Sequence, residues 1–276
     1  MKVIRQSLGF VSLLLIGLTG CEDVISLQVP DSDPQLVVDG WITDQPGPYT
    51  VRLSTTAPYF ANQPTPRVAG AAVVLADDQG HRDTLTETQP GLYQTRTLRG
   101  RVGGVYTLTV RANGETFTAQ TRIHRVPEID SIGTVYRDET DDRDAGFFLT
   151  YYGREPAGQT DNYRIKVFRN DTLLNNPELD LFFFNDEFLD GKYLDGLELS
   201  AGPFQKGDRA RVEIHSLTTE NYRFLTELQR QMRNDGLFAT PTANVSTNIV
   251  NTRADGKPAT GWFGGSAVQS KTIPIR

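Results

Sequence analysis

Apolar and polar residues alternate in short runs along most of the chain. Tyr106, Leu108 and Val110, for example, are each followed by a polar residue. Alternation with a period of two directs one face of a strand toward a core and the other toward water. Because Gly, Pro, Asn and Asp separate the runs and favour turns, the pattern predicts a mainly β fold of antiparallel strands.

The first half of the chain contains seven runs of this kind. They predict strands at 36–43, 49–55, 71–77, 82–88, 92–98, 105–111 and 116–123. Several short strands within about a hundred residues are typical of a small sandwich. We therefore predict an immunoglobulin-like or transthyretin-like β-sandwich over residues 35–126.

A proline follows the last of these strands. Pro127 has no N–H to donate and forces Val126 into an extended conformation, which favours a linker and a domain boundary at this point. Further alternating runs lie at 131–137, 146–152, 163–169, 179–184, 197–200, 209–216, 245–250, 260–263 and 267–275. Residues 127–276 are thus predicted to form a second antiparallel β-domain.

One stretch of the second domain has helical periodicity instead. Its apolar side chains recur every three or four positions, at Tyr222, Leu225, Leu228 and Met232. Thr218 or Thr219 can cap the N-terminus of a helix here, and Gly236 can end it. The pattern predicts one α-helix near residues 219–234, whose apolar stripe packs across the β-domain.

The beginning of the chain is typical of an export signal. Lys2 and Arg5 precede an apolar run at 8–18, which is too short to span a bilayer as a permanent helix. The following residues, Leu18-Thr19-Gly20-Cys21, resemble the lipobox of bacterial lipoproteins, in which the cysteine carries the lipid. The alternative is a chance cysteine after an ordinary secretory signal. We predict a signal peptide at 1–20, lipidation of Cys21 and a tether over 21–34.

Cys21 is the only cysteine, so the chain cannot form an internal disulfide. Two or more acyl chains would hold the protein on a membrane. Glu22 and Asp23 resemble the acidic export tags of surface lipoproteins, and a merely solvated tether explains them equally well. We expect a lipid-anchored protein of the outer membrane, on its periplasmic or its cell-surface face.

The net charge argues against one class of partner. Removal of residues 1–20 would change the formal net charge from -6 to -8, since that segment contains two basic residues and no acid. An acidic chain without a basic cluster has little to neutralise phosphates. We therefore expect no nucleic-acid partner.

A search for catalytic and metal-binding motifs assigns none. His81, His124 and His215 lie in separate predicted strands or strand ends, without the spacing of zinc ligands. The acidic run at 138–144 lacks the glycine and the spaced acids of a calcium loop, so a solvated loop is favoured. No nucleophile elbow, phosphate-binding loop or dinucleotide fingerprint is present. We assign no catalytic residue, no metal and no cofactor.

Three consecutive phenylalanines, Phe182, Phe183 and Phe184, stand out in the second domain. Successive side chains of a strand point to opposite faces. Phe183 must therefore be buried against a different part of the structure from the one that Phe182 and Phe184 contact. A helix, a neighbouring domain or a partner protein could each provide that contact.

An aromatic-acidic segment follows directly. It contains the candidate ligand-binding residues Asp186, Glu187, Phe188, Asp190 and Tyr193. The acids could accept hydrogen bonds from sugar hydroxyls while a ring stacks on the sugar, or two of them could act as a general acid and base. A turn that ends an aromatic core strand explains the same residues and is favoured by the pattern.

Six segments, in their order and spacing, resemble a family of Bacteroidota outer-membrane lipoproteins catalogued as domain of unknown function 4249. They are LVVDGWIT at 36–43, VPEIDS at 126–131, NDEFLDGK at 185–192, NYRFL at 221–225, ANVSTNI at 243–249 and GWF at 261–263. Family members tend to be encoded beside TonB-dependent outer-membrane transporters. The resemblance implies an accessory lipoprotein that captures or presents a nutrient, and it transfers no catalytic residue.

These observations together predict a non-enzymatic surface lipoprotein that assists a TonB-dependent transporter in nutrient binding or uptake. Two alternatives belong to other classes of protein. One is a structural or adhesive envelope lipoprotein, and the other is a surface glycan hydrolase with Asp186, Glu187 or Asp190 as its acids.

Overall fold

The alternating runs form strands in the computed structural model, which describes residues 33–58, 63–141, 143–174, 182–232 and 245–276. Strands dominate, most of them paired antiparallel, and the described residues contain one helix. The prediction of a mainly β fold is therefore confirmed. The predicted signal peptide at 1–20, Cys21, residues 22–32 of the tether and Gly236 lie outside the described residues.

The elements are numbered in chain order. The strands are β1 (Leu36–Thr43), β2 (Thr50–Thr55), β3 (Ala72–Asp77), β4 (Arg82–Thr84), β5 (Thr86–Gln89), β6 (Leu92–Gln94), β7 (Val105–Ala112), β8 (Glu115–Arg122), β9 (Ser131–Arg137), β10 (Gly146–Arg154), β11 (Asn162–Arg169), β12 (Thr172–Leu173), β13 (Phe182–Asn185), β14 (Tyr193–Phe204), β15 (Arg209–Leu217), β16 (Val250–Asn251), β17 (Ala259–Ser266) and β18 (Val268–Pro274). The helix is α1 (Thr219–Met232).

A first sandwich consists of two sheets, with the strand orders β17-β1-β2-β6-β5 and β16-β8-β7-β3-β4. Both sheets contribute to one apolar core, whose fully buried side chains include Leu53, Tyr93, Tyr106 and Leu108. The alternation seen in the sequence explains this burial, because Tyr106, Leu108 and Val110 all point inward from β7.

Two strands of this sandwich come from the C-terminal part of the chain. β17 pairs with β1 in parallel, from Leu36 opposite Ala259 to Thr43 opposite Ser266, and β16 pairs with β8. The strand pairing thus crosses the position between 126 and 127 at which the sequence places a boundary between residues 35–126 and residues 127–276.

Two predicted strands of the first sandwich have bounds that differ from those in the structure by more than one residue. The predicted strand 82–88 divides into β4 and β5, which belong to different sheets. The predicted strand 92–98 ends at Gln94. Beyond it, the backbone N–H groups of residues 96–98 donate to one oxygen of the buried Asp83 carboxylate over 2.7–2.9 Å instead of pairing in a sheet.

The predicted strand at 245–250 is reduced to β16. The side chain of Asn248 takes the place of backbone pairing with Phe263. Its amide oxygen accepts a hydrogen bond from the N–H of Phe263 at 3.0 Å, and its amide nitrogen donates to the carbonyl of Phe263 at 2.8 Å. The segment before Val250 is therefore joined to β17 without itself being a strand.

Most of a second sandwich lies, in the sequence, between the N-terminal and C-terminal strands of the first, and its last strand, β18, follows β17. One sheet has the order β14-β10-β9, and the other has the order β12-β11-β15-β18, with β13 also paired to β11. Leu149 and Phe204 from the first sheet and Tyr163 and Ile214 from the second belong to one apolar cluster.

The helix α1 begins where the sequence predicts it. The hydroxyl of Thr218 accepts a hydrogen bond from the N–H of Asn221 at 3.1 Å, which is an N-cap. Phe224 of the helix stacks on Trp262 of β17, with the ring centroids 4.8 Å apart. In the described part of the chain, no helix combines the length and the apolar character that crossing a membrane requires.

The three phenylalanines point to two different faces, as the alternation of side chains along a strand requires. Phe182 and Phe184 pack against the core of the second sandwich, whereas Phe183 packs against the cluster that contains Phe224 and Trp262. Of the three contacts that the sequence allowed for Phe183, this cluster provides two, the helix through Phe224 and the neighbouring sandwich through Trp262.

Candidate functional site

Three strand ends bring three acids together at one end of the second sandwich. Glu155 directly follows β10, Asp161 directly precedes β11 and Asp186 directly follows β13. One carboxylate oxygen from each lies within 4.8 Å of those of the other two. All three residues are at most 3% exposed. We call this group, Glu155, Asp161 and Asp186, the carboxylate cluster.

The pairing of β11 with β13 places two members of the cluster side by side. Asn162 lies opposite Asn185 at the end of the ladder. One step further, the N–H of Asp161 donates to Oδ1 of Asp186 at 2.8 Å, and the N–H of Asp186 donates to the carbonyl of Asp161 at 3.1 Å. The other oxygen of Asp186, Oδ2, is buried and has no hydrogen-bond partner among the described residues.

Arg125 supplies positive charge to the cluster. Its Nε donates to Oδ2 of Asp161 at 2.7 Å, and its two terminal nitrogens donate to the carbonyls of Pro156 and Ala157. The side-chain amide of Gln159 donates to the other oxygen of Asp161 at 2.9 Å. Asp161 therefore has a hydrogen-bond partner at each carboxylate oxygen, and one of the two is a guanidinium.

Glu155 is held differently. The hydroxyl of the buried Tyr163 donates to Oε1 of Glu155. Burial raises the pKa of Glu155 to about 7, and the negative charges of Asp186 and Asp161 add to the increase. Burial also raises the pKa of Asp186, again with a contribution from Asp161. The cluster thus holds more negative charge than its surroundings compensate.

The aromatic-acidic segment forms a turn beside the cluster. The carbonyl of Asp186 accepts from the N–H groups of Leu189 at 2.6 Å and Asp190 at 3.0 Å. Oδ1 of Asp190 in turn accepts from the N–H of Gly158 at 2.8 Å, which joins the turn to the loop between β10 and β11. Asp190 therefore stabilises the local backbone.

The five candidate residues of this segment occupy different environments. Asp186 is fully buried in the cluster, whereas Glu187 and Asp190 are exposed. Phe188 is 77% exposed and Tyr193 is 45% exposed. The ring of Tyr193 lies under the guanidinium of Arg154, at 5.6 Å from its centroid. Of the five candidates, Asp186 alone belongs to the carboxylate cluster. The other two members of the cluster, Glu155 and Asp161, were not singled out from the sequence.

A shallow surface groove of about 330 Å³ borders the cluster at Glu155. Glu155, Arg154 and Gly191 form part of its wall, together with residues of the segment 126–130. Gly191 belongs to the end of the aromatic-acidic turn, so the turn and the cluster border the same groove. A small ligand or ion in the groove would contact Glu155.

The sequence pattern did not single out Glu155, Asp161 and Arg125. A usable signal was present, because Glu155 and Asp161 lie near the two ends of the short connection between the predicted strands 146–152 and 163–169. The ends of a short connection are necessarily close in space. What the pattern lacked was the pairing of β11 with β13, which adds Asp186.

The fold and the site define a mainly β protein of two sandwiches with a buried carboxylate cluster beside a surface groove. Residues 22–272 match the family model described as Domain of unknown function (DUF4249). The chain therefore belongs to the DUF4249 family, as its sequence segments indicate. No curated protein matches the chain.

Proposed function

We propose that this protein is an outer-membrane lipoprotein, anchored through Cys21, that assists a TonB-dependent transporter in nutrient binding or uptake without catalysing a reaction. The lipobox Leu18-Thr19-Gly20-Cys21 supports the anchor. Its replacement tests the location. A Cys21→Ser variant should be lost from the membrane fraction, and a variant that stays there would contradict lipid anchoring.

The observation that carries the binding role is the turn beside the groove. It holds Phe188 in solvent, next to the exposed carboxylates of Glu187 and Asp190. Exposed rings with neighbouring acceptors suit a ligand that has apolar faces and hydroxyl groups, such as a carbohydrate, and they also suit a protein surface. The turn is held by backbone hydrogen bonds, so little ordering is needed on binding.

The positions of Asp186 and Glu187 argue against these two residues as the acids of a glycan hydrolase. Asp186 is fully buried and accepts a backbone hydrogen bond, while the adjacent Glu187 is exposed on the turn. A hydrolase of the usual kind needs two carboxyl groups that face one scissile bond from its two sides. Neighbouring acids of which one is inside the protein and the other outside do not suit that task.

Affinity purification from native membranes in a gentle detergent tests the transporter partnership. The tagged chain should recover a large β-barrel protein, and Phe188→Ser should reduce the recovery. Val102→Ser is the matched control, because Val102 is also an exposed apolar residue, at 51%, but lies on the first sandwich. Recovery of the chain alone, or an equal loss with both variants, would contradict the proposal.

A thermal-shift screen with soluble saccharides separates the remaining classes. A nutrient-binding protein should gain stability with at least one saccharide, since ligands that bind the folded state stabilise it. An adhesive or structural protein should gain none. A hydrolase would release product from a polysaccharide panel and would lose that turnover in Glu187→Gln.

A further inference from the structure

We propose that Glu155, Asp161 and Asp186 bind one divalent cation of the oxygen-preferring class, and that this cation is calcium. The inference does not depend on the proposed transport role, because it concerns the buried end of the second sandwich and not its partner. It departs from the sequence analysis, which assigned no metal.

The first support is the balance of charge. Three buried carboxylates lie within one small volume, and Arg125 pairs with only Asp161. Isolated charges are costly inside a protein unless they are paired or bind a metal. The hydroxyl of Tyr163 stabilises one oxygen of Glu155, but it contributes no positive charge. A dication would neutralise the excess.

The second support is an oxygen without a donor. Oδ2 of Asp186 has no hydrogen-bond partner among the described residues, and Asp186 is 0% exposed. Buried polar atoms nearly always have a partner, and an exception needs an explanation such as an ion or a water molecule. Oδ1 of the same carboxylate already accepts the N–H of Asp161, which leaves Oδ2 free to bind a cation.

The ligand atoms indicate which cation. All three members of the cluster are carboxylates, and within the described part of the chain neither histidine nor cysteine belongs to it. Oxygen ligands without nitrogen or sulfur favour calcium, magnesium or manganese over zinc. Calcium tolerates irregular geometry and accepts six to eight oxygens, including water. The groove that Glu155 borders provides room for that water.

Calorimetric titration of the whole chain tests the site. The protein is purified in detergent, treated with a chelator and titrated with calcium chloride alone at mildly alkaline pH. One equivalent should bind and raise the unfolding temperature. Asp186→Asn and Glu155→Gln should each weaken binding by about tenfold or more, because each removes one of three charged ligands.

Glu187→Gln is the matched control. It removes an acid adjacent to Asp186 in the sequence, but Glu187 is exposed on the turn, so calcium affinity should be unchanged. Circular dichroism checks that each variant is folded, and Glu155→Gln carries the test if Asp186→Asn does not fold.

Terbium luminescence provides an independent readout. A terbium ion bound at the cluster should be sensitised by Tyr163, whose hydroxyl contacts Glu155, and calcium should displace it. Three results would overturn the proposal: no heat and no thermal shift with calcium, binding of zinc in preference to calcium, or equal weakening by Glu187→Gln and Asp186→Asn.

Discussion

Two hydrogen bonds join Asp161 to Asp186, although both residues carry acidic side chains. The N–H of Asp161 donates to the Asp186 carboxylate, and the N–H of Asp186 donates to the Asp161 carbonyl. The pair continues the β11–β13 ladder by one position, with the Asp186 carboxylate in place of a backbone carbonyl as one of the two acceptors. These hydrogen bonds hold the two carboxylates close together despite the repulsion between their charges.

This relationship predicts opposite effects of two substitutions at Asp186. Asp186→Ala removes the acceptor of the buried Asp161 N–H, and an unsatisfied buried donor costs about 1–3 kcal/mol. Asp186→Asn keeps an oxygen acceptor and removes a buried negative charge. In chelator, urea unfolding should therefore give a less stable alanine variant and an asparagine variant at least as stable as the wild type. Equal losses in both variants would show that the hydrogen bond is not what matters.

Glu155 should make stability depend on pH. Its folded-state pKa of about 7 lies above the ordinary value of 4.5, so the protonated carboxyl favours the folded state. That contribution is complete below about pH 4.5 and is lost as the pH rises through about 7. The difference in pKa corresponds to about 3 kcal/mol.

Glu155→Gln isolates this effect, because glutamine imitates the protonated carboxyl at every pH. The variant should match the wild type at acidic pH and exceed its stability above pH 7 by about 3 kcal/mol, as measured by denaturant unfolding in chelator. Subtracting the two curves removes other titrating groups, such as His215, whose pKa burial lowers. A constant difference across the pH range would contradict the assignment.

The individual strands follow from the sequence because their pattern is local. The bounds of β1 and β9 equal the predicted ones, and the opposite directions of Phe182 and Phe183 follow from the strand period alone. Thr218 was one of the two predicted caps of α1. Each of these features depends on residues within a few positions of one another.

The strand partners do not follow from the sequence. Nothing in the run 260–263 indicates that β17 pairs with β1 in parallel, more than two hundred residues earlier in the chain. The carboxylate cluster does not follow from the sequence for the same reason, since Asp186 joins Glu155 and Asp161 only through the pairing of β11 with β13. Alternation shows which face of a strand is buried, but it does not show which other strand pairs with it.

Arg125 should stabilise the fold through the charge of Asp161. The side chain of Asp161 is 2% exposed and that of Arg125 is 32% exposed. Removing one partner of a buried pair leaves an uncompensated charge, which costs about 3–5 kcal/mol. Because the guanidinium is partly solvated, Arg125→Met should cost about 2–3 kcal/mol, measured by urea unfolding.

Two further variants test whether charge is the cause. Arg125→Met combined with Asp161→Asn should recover part of the loss, because the neutral asparagine needs no counter-charge. Arg253→Met removes an exposed ion pair with Asp255 at 3.2 Å and should change stability little. A double variant no more stable than Arg125→Met alone would assign the loss to the hydrogen bonds with Pro156 and Ala157 instead.

Phe183 and Phe188 are five positions apart and should respond very differently to truncation. Phe183 packs against the cluster of Phe224 and Trp262, so Phe183→Ala should cost about 2–3 kcal/mol, which is below the roughly 3–5 kcal/mol of a fully buried phenylalanine because the ring is only partly buried. Phe188 is 77% exposed, and Phe188→Ala should change stability by less than about 0.5 kcal/mol. Thermal unfolding of both variants compares them directly. A large loss in Phe188→Ala would mean that its ring is covered in the folded protein, and the binding surface proposed at the turn would then have to be abandoned.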